Sequence, residues 1–447
     1  MTRKHIRARP EMPPSDSVNW MRQASRFIRA HRQKTFVIYM GGDVLASQML
    51  DECAEDILLL AGLGIRLVLV HGARPQIDRE CAGISNSVTK FVNDIRITEI
   101  ADLEAVKRAV LTTRSDLEAK LARAALDTVE RHGAIPIVGG TFVVARPKGI
   151  VAGQDTGLAG EIRRVDTPAI NHCLDDGNMV LLSPLAYSSS GEAFNMNSLE
   201  LATAVAAELH AHKLILFSEN NLSAAGESAA LRQLTVQQAR EVEVADKTLT
   251  RQLNAAIAAC EQGVQRAHVI NYQHSGALLE ELFTRDGCGT LISDAPFDRL
   301  RPAKIDDIGG ILALIEPLEA VGVLVKRSRE KLEMEIDSFQ VMVREGTVVA
   351  CGALYEFNEG QAAEVACIAV HPDYRGHDFG RTMVTQLETR AEQHGISQLF
   401  VLTTDAIQWF EEQGYRRKAL EDLPVERQLL YNYQRNSLVL GKLTSRD

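Results

Sequence analysis

The chain has 447 residues, too many for one ordinary hydrophobic core, so two or three domains are expected. Its hydrophobic content of 45% with 24% charged residues is globular, and a net charge of −10 argues against a nucleic-acid-binding surface or a polybasic membrane face. No apolar run is long enough to span a bilayer. Seven cysteines without C-x-x-C pairs or zinc spacing fit reduced thiols, a cytoplasmic location and no metal.

The first nine residues are basic but lack an apolar core segment, so residues 1–16 read as a frayed tail, not a signal peptide. Between Ser17 and Gln33, Trp20, Ala24, Phe27 and His31 recur at 4, 3, 4 spacing. That predicts a helix, packed on its own domain or docked on another subunit. Strands are expected at Thr35 to Tyr39, Ile65 to Val70, Ile135 to Val138, Val180 to Leu182 and Lys213 to Phe217. Helical patterns alternate with them, at Ser47 to Leu60 and Ser198 to His210 for example. Such alternation means a mainly parallel sheet with ligands at the C-terminal edges of its strands.

Over residues 30–295 these elements resemble the amino-acid kinase family. Arg74–Pro75–Gln76–Ile77–Asp78 falls at the family's second glycine-rich turn, and Glu281–Leu282–Phe283–Thr284 with Gly287 and Gly289 resembles the E-L-F-T-x-x-G-x-G-T segment of its arginine-inhibited members. The departures are chemical. Tyr39 stands where the family has a phosphoryl-stabilising lysine, Leu199 replaces the aspartate of N-x-N-x-D, and Ser218–Glu219 replaces a T-D pair. Phosphoryl transfer rests on cations and the carboxylates that organise them, so the fold is expected without kinase activity. The resemblance then implies a binding and assembly domain, with L-arginine as effector at Lys213, Glu281, Phe283 and Gly287. A carboxylate such as Glu281 can pair with a guanidinium in a fork.

Residues 296–303 (PFDRLRPA) are proline-punctuated and read as a linker, with a new strand from about Leu300. The domains expected are thus 17–295 and 304–447.

In the second, Gln361 to Val370 is β-branched and apolar, broken by His371–Pro372–Asp373. A loop, Arg375–Gly376–His377–Asp378–Phe379–Gly380, then leads directly into a helical pattern. Strand, glycine-containing loop and helix N-terminus can hold phosphates, because backbone N–H groups and the helix dipole converge. The stretch resembles motif A of the GNAT-type acetyltransferases, with Asp378 where the middle glycine is expected. Leu399 to Leu402 reads as the next strand, and Ala406 to Tyr415 resembles the family's A-x-x-[FY]-[FY]-E-x-x-G-[FY] segment.

This resemblance implies acetyl-CoA bound along Ile368, Ala369 and Val370 and by the loop Arg375 to Gly380. Glu364, inside an apolar strand, is either paired structurally or faces a cleft; the resemblance favours a general base. Cys367 reads as a packed residue lining the substrate pocket, although an acyl-cysteine route stays open. Regular alternation puts Glu364 and Cys367 on opposite faces, and a bulge would bring them together. Thr403 stands near the position of an asparagine acting at the leaving sulfur, and Tyr415 reads as structural. Arg327 and Arg435 resemble clamps for the two carboxylates of L-glutamate.

The fold expected is therefore α/β: an amino-acid-kinase-like α/β/α sandwich, then a GNAT α+β domain. The whole resembles the N-acetylglutamate synthase family, which implies glutamate N-acetylation, arginine feedback and a homo-oligomer, with a hexamer as one form. An arginine sensor with an inert transferase, a bifunctional synthase–kinase and a protein-lysine acetyltransferase are the other readings.

Overall fold

The structure is a computed structural model that describes residues 16–82, 90–128, 135–226, 229–284, 286–294, 299–344, 347–357, 361–375, 378–433 and 435–444. The chain divides into two compact units, residues 1–296 and 297–447.

The first unit opens with α1 (Asp16–His31), β1 (Thr35–Met40), α2 (Leu50–Gly62), β2 (Arg66–His71) and α3 (Arg74–Ala82). Next come α4 (Leu103–Thr128), β3 (Ile137–Val138), β4 (Val143–Pro147), β5 (Ala159–Val165), β6 (Met179–Leu182), β7 (Leu185–Tyr187) and β8 (Ala193–Met196). It ends with α5 (Ser198–Glu208), β9 (Lys213–Ser218), β10 (Gln233–Thr235), α6 (Lys247–Glu261), β11 (Arg266–Asn271), α7 (Ala277–Phe283) and β12 (Thr290–Ser293).

Eight strands form one sheet in the order β10-β12-β11-β9-β1-β2-β6-β3. Every adjacent pair is parallel except β11 with β12. The central strands are apolar on both faces, as a sheet covered by helices on both sides requires. Val37, Val68, Leu214 and Leu216 pack one face and Phe36, Ile38, Leu67 and Leu69 the other. The strands β7-β8-β5-β4 close a small barrel beside it. Residues 74–78, expected as a turn, are instead the start of α3, where Pro75 falls in the first turn and its missing N–H costs nothing.

In α1, Ala24, Phe27 and His31 are buried as their spacing predicts, but Trp20 remains 44% exposed. His31 Nε2 donates to the carbonyl oxygen of Leu282 in α7 (3.1 Å), tying α1 to the arginine-family segment of the same unit.

The second unit contains β13 (Arg299–Pro302), α8 (Ile308–Ala320), α9 (Arg329–Met334), β14 (Phe339–Arg344), β15 (Thr347–Phe357), β16 (Ala362–Val370), α10 (Phe379–Gln393) and β17 (Gln398–Thr403). It is completed by α11 (Ile407–Glu412), β18 (Arg416–Lys418), α12 (Val425–Leu429) and β19 (Leu438–Leu443). Its sheet runs β13-β14-β15-β16-β17-β19-β18, with only β16 and β17 parallel. Residues 299–302, within the stretch read as linker, are an edge strand pairing with Gln340 to Val343.

Two irregularities of β16 position the site. Its pairing with β17 ends at Glu364↔Phe400, so beyond Glu364 the two parallel strands separate. Its pairing with β15 passes from Ala353↔Ala366 to Cys351↔Ala369, placing Cys367 and Ile368 opposite Gly352 alone. This is a β-bulge, and Cys367 adopts a left-handed φ of 53° to make it. The bulge resets alternation: Val365 and Ile368, three apart, pack in one core, leaving Glu364 and Cys367 to share the opposite face.

Candidate active site

Four residues expected to act together converge in the second unit. The charge of Arg435 is felt alongside those of Arg327, Glu364 and Arg427 and the thiol of Cys367. Burial, and then the neighbouring Arg327, pull the Arg435 guanidinium below its ordinary value. Arg435 donates to the carbonyl of Val323, and Arg327 Nη1 to that of Val325 (3.0 Å). The Nε atoms of both arginines are buried and have no partner among the described residues. Buried donors normally find acceptors, so two guanidinium nitrogens with none among the described residues, on arginines near enough for one charge to act on the other, suit an anion.

Arg327 is supported from β15 by Tyr355, whose hydroxyl donates to Glu335 (2.7 Å). Tyr355 is also the direct cross-strand partner of Glu364. Ser328 caps α9, accepting from the backbone N–H of Lys331 (3.2 Å), which fixes the chain just after Arg327.

Glu364, read as either paired or facing a cleft, is paired. Arg427 of α12 grips both its oxygens, Nε at 2.5 Å from Oε2 and Nη2 at 3.2 Å from Oε1. The side chains are 12% and 16% exposed, so the pair is largely out of water. Arg427 was not legible in the sequence, since an arginine between Glu426 and Gln428 looks like any solvated one.

Burial pushes the Cys367 thiol up to about 11, with Arg327 opposing. A nucleophilic cysteine needs its thiolate near neutral pH, so this environment favours a neutral, packed thiol. Thr403 closes β17, and its Oγ accepts from the N–H groups of Asp405 (3.3 Å) and Ala406 (3.1 Å), which leaves its own O–H to donate. Tyr415 is fully buried, in keeping with a structural role.

Of the expected phosphate loop, Gly376 and His377 lie outside the described residues. Asp378 is the N-cap of the 15-residue helix α10 with φ 55°, a left-handed conformation. That explains the family's glycine there: the position needs positive φ, and aspartate is among the few side chains that tolerate it. Arg375 precedes it at the surface, Phe379 stacks on Tyr374 (6.1 Å between centroids), and Gly380 lies against Trp409. Ile368, Ala369 and Val370 are the last residues of β16, past the point where β17 departs.

In the first unit, Lys213, Glu281 and Gly287 come together around a residue the sequence did not point to, His268. Lys213 Nζ lies 3.1 Å from His268 Nε2, and His268 Nδ1 lies 2.6 Å from Glu281 Oε1. Glu281 Oε2 accepts from the N–H groups of Cys288 (2.9 Å) and Gly289 (2.7 Å). Glu281 is thus neither solvated nor free, because every oxygen is bonded. Gly287, at φ 60°, sits so close that a Cβ would meet Glu281 Oε2 at 2.3 Å. Phe283 is a core residue whose ring lies 6.1 Å from that of His31.

A cavity of about 560 Å³ lies at the C-terminal ends of β1 and β2, where kinase chemistry would be placed; Tyr39, Gly42, Asn195, Asn197, Leu199 and Arg251 help line it. Burial raises the Tyr39 hydroxyl above its ordinary value, so it stays neutral where a lysine would carry charge. Arg74 and Arg251 both bind Asp94 and are answered within the unit. Among the described residues no cluster of His, Cys, Asp or Glu could hold a metal ion, and no helix is long and apolar enough to cross a membrane.

Parallel strands that separate beyond a carboxylate, followed by a helix capped at a positive-φ residue, define a GNAT-type acetyltransferase unit, here on a chain with an amino-acid-kinase-like unit. The amino acid kinase family model matches residues 34–271 and the GNAT acetyltransferase family model residues 314–415. An amino-acid acetyltransferase of Azotobacter vinelandii is 44% identical over 429 residues, covering 96% of this chain and 99% of its own. That of Escherichia fergusonii is 43% identical over 433 residues, covering 95% and 98%. The crystal structure of N-acetylglutamate synthase from Neisseria gonorrhoeae complexed with coenzyme A and L-arginine matches with a TM-score of 0.89 at 36% identity, over 97% of this chain and 100% of that one. The same enzyme complexed with coenzyme A and N-acetyl-glutamate matches with a TM-score of 0.63. The chain belongs to the amino-acid acetyltransferase family.

Proposed function

We propose that this protein transfers the acetyl group of acetyl-CoA to the α-amine of L-glutamate, and that L-arginine bound in the kinase-like unit inhibits it. The observation that carries the substrate is the pair of buried, unanswered Nε donors on Arg327 and Arg435 beside Glu364. Two guanidiniums suit a dicarboxylic amino acid and repel a lysine side chain, which disfavours a protein-lysine acetyltransferase.

Glu364 takes a proton from the substrate ammonium, directly or through water, leaving the amine lone pair to attack the thioester carbonyl. The C–N bond forms as the C–S bond breaks. The attacking nitrogen loses its second proton through water to Thr403, whose oxygen is already held by two amides, as the Thr403 hydroxyl gives its own proton to the departing thiolate; Glu364 then returns its proton to solvent. The separation of β16 and β17 leaves room for acetyl-CoA along Ile368 to Val370, with Arg375 and the N-terminus of α10 at its phosphates. Direct attack is favoured over an acyl-cysteine because the Cys367 thiol is held neutral.

The cluster of Lys213, His268, Glu281 and Gly287, with Phe283 and α1 against it, is the proposed arginine site. The crystal structure of the Neisseria gonorrhoeae enzyme complexed with L-arginine supports the choice of effector. Tyr39 and Leu199 in the kinase-like cleft disfavour a bifunctional synthase–kinase. The exposed Trp20 and Met21 of α1 suit a contact in a cytoplasmic homo-oligomer.

The test is thiol release from acetyl-CoA with L-glutamate, with and without L-arginine and without ATP. Glutamate-dependent release suppressed by arginine is the expected result. No release alongside calorimetric arginine binding would leave a sensor without transferase activity.

A further inference from the structure

Helix α12 has no buried residue, and Val425, Leu429 and Leu430 are 68%, 82% and 71% exposed. Apolar packing therefore anchors only its entry, where Leu423 is buried against Phe400 and Val439, and none of the helix itself. Beyond that entry the contacts are polar: Gln428 Nε2 donates to the carbonyls of Glu421 (3.2 Å) and Leu423 (2.7 Å), and Arg427 reaches Glu364. Arg427 is itself fixed, its Nη1 donating to the carbonyl of Leu430 (3.2 Å) at the end of its own helix. Each guanidinium edge thus has a separate task, one toward the helix and one toward the carboxylate.

The carboxylate end is equally defined. Glu364 stands in the last pair of β16 that β17 still holds, so its backbone is rigid while the chain beyond it is not paired on that side. A two-point fork fixes the plane of the carboxylate as well as its position. An ionised carboxylate has about four lone-pair sites, and the fork uses one on each oxygen, leaving the others for an incoming proton.

We propose that Arg427 is the positioning residue of Glu364: it fixes the plane of the carboxylate and keeps it aimed at the amine, and acts on the reaction only through it. This rests on Glu364 being the general base. Arg327 and Arg435 differ in kind, since their Nε atoms have no partner among the described residues whereas the Nε of Arg427 is committed to Glu364.

The experiment is a double-mutant cycle on the full chain, read as thiol release with L-glutamate and acetyl-CoA varied separately. The variants are Arg427→Ala, Arg427→Lys, Glu364→Gln and the double variant Glu364→Gln with Arg427→Ala. Arg427→Ala is expected to lower kcat about tenfold or more, with KM for acetyl-CoA within about twofold as a check on folding. Arg427→Lys, which keeps the charge and loses the fork, restores part of kcat. In the Glu364→Gln background, Arg427→Ala costs less than about twofold further. Independent, multiplying losses overturn the proposal, as does a rise in KM for glutamate with kcat unchanged, which would make Arg427 a substrate clamp. Full kcat in Glu364→Gln would remove the base reading itself, and the positioning role with it.

Discussion

Lys213 and Glu281 are joined without touching, through the imidazole of His268. An ammonium can only donate, so Nε2 of His268 must accept from Lys213, and Nδ1 carries the proton it donates to Glu281. The imidazole is therefore neutral between a buried cation and a buried anion. His268→Leu keeps much of the volume but takes one hydrogen-bond partner from each of two buried charged groups, a change that costs on the order of 1–3 kcal/mol. It should lower the melting temperature clearly and abolish any response to arginine.

The same imidazole sets a dependence on pH. Burial, and then Lys213, push His268 down to about 4 from its ordinary 6.5. Its folded value is depressed, so the unfolded chain binds the extra proton first. The stability it contributes is complete above about 6.5 and is lost as the pH falls toward 4. Melting curves across that window should show the loss, and His268→Gln should reduce it by one histidine's share, since burial also holds His71 and His212 down at about 4.

Gly287 has the same carboxylate as its neighbour. At φ 60°, with a Cβ position 2.3 Å from Glu281 Oε2, the site admits no side chain without displacing Glu281. Gly287→Val should weaken arginine inhibition by tenfold or more, on the order of 1.4 kcal/mol, while leaving turnover without arginine within about twofold. Dose–response curves decide it, and a shared loss of turnover would count against separate sites.

Arg327→Ala and Arg435→Ala should each raise KM for L-glutamate about tenfold or more, since each removes a charged donor to a carboxylate. KM for acetyl-CoA should not follow. Equal changes in both would mean that the arginines hold the fold and not the amino acid.

Cys367→Ala should keep turnover within about threefold, because a thiol held up at about 11 is not the nucleophile. Mass spectrometry of the wild-type enzyme mixed with acetyl-CoA alone should find no acetyl adduct. An adduct at Cys367 would restore the acyl-enzyme route.

The residues legible in the sequence were those fixed by backbone pattern. Apolar strands such as Thr35 to Met40, and the break after Val370, follow from burial on both faces and from Pro372. The convergence of Arg327, Cys367 and Arg435 on Glu364 was open to reading only because motif order implied it. Alternation alone put Glu364 and Cys367 on opposite faces, and the bulge at Cys367 reversed that with nothing in the residue types to announce it. Arg427 and His268 were invisible for a related reason. Each is defined by a partner more than ten residues away, Glu364 and Glu281, and side-chain pairing at such separations leaves no periodic trace.

The parting of β16 from β17 after Glu364 has a thermodynamic consequence. It leaves a sheet edge inside the unit, bounded by two strands, where backbone groups lack the neighbour that a continuous sheet supplies. An extended ligand carrying its own amides can take the place of that missing strand. Binding then completes the sheet, and the unit's resistance to heat becomes a function of ligand concentration. A hundredfold excess over the dissociation constant contributes about 2.7 kcal/mol to the folded state. In a cell, the supply of acetyl donor would govern how long this half of the molecule survives as well as how fast it works.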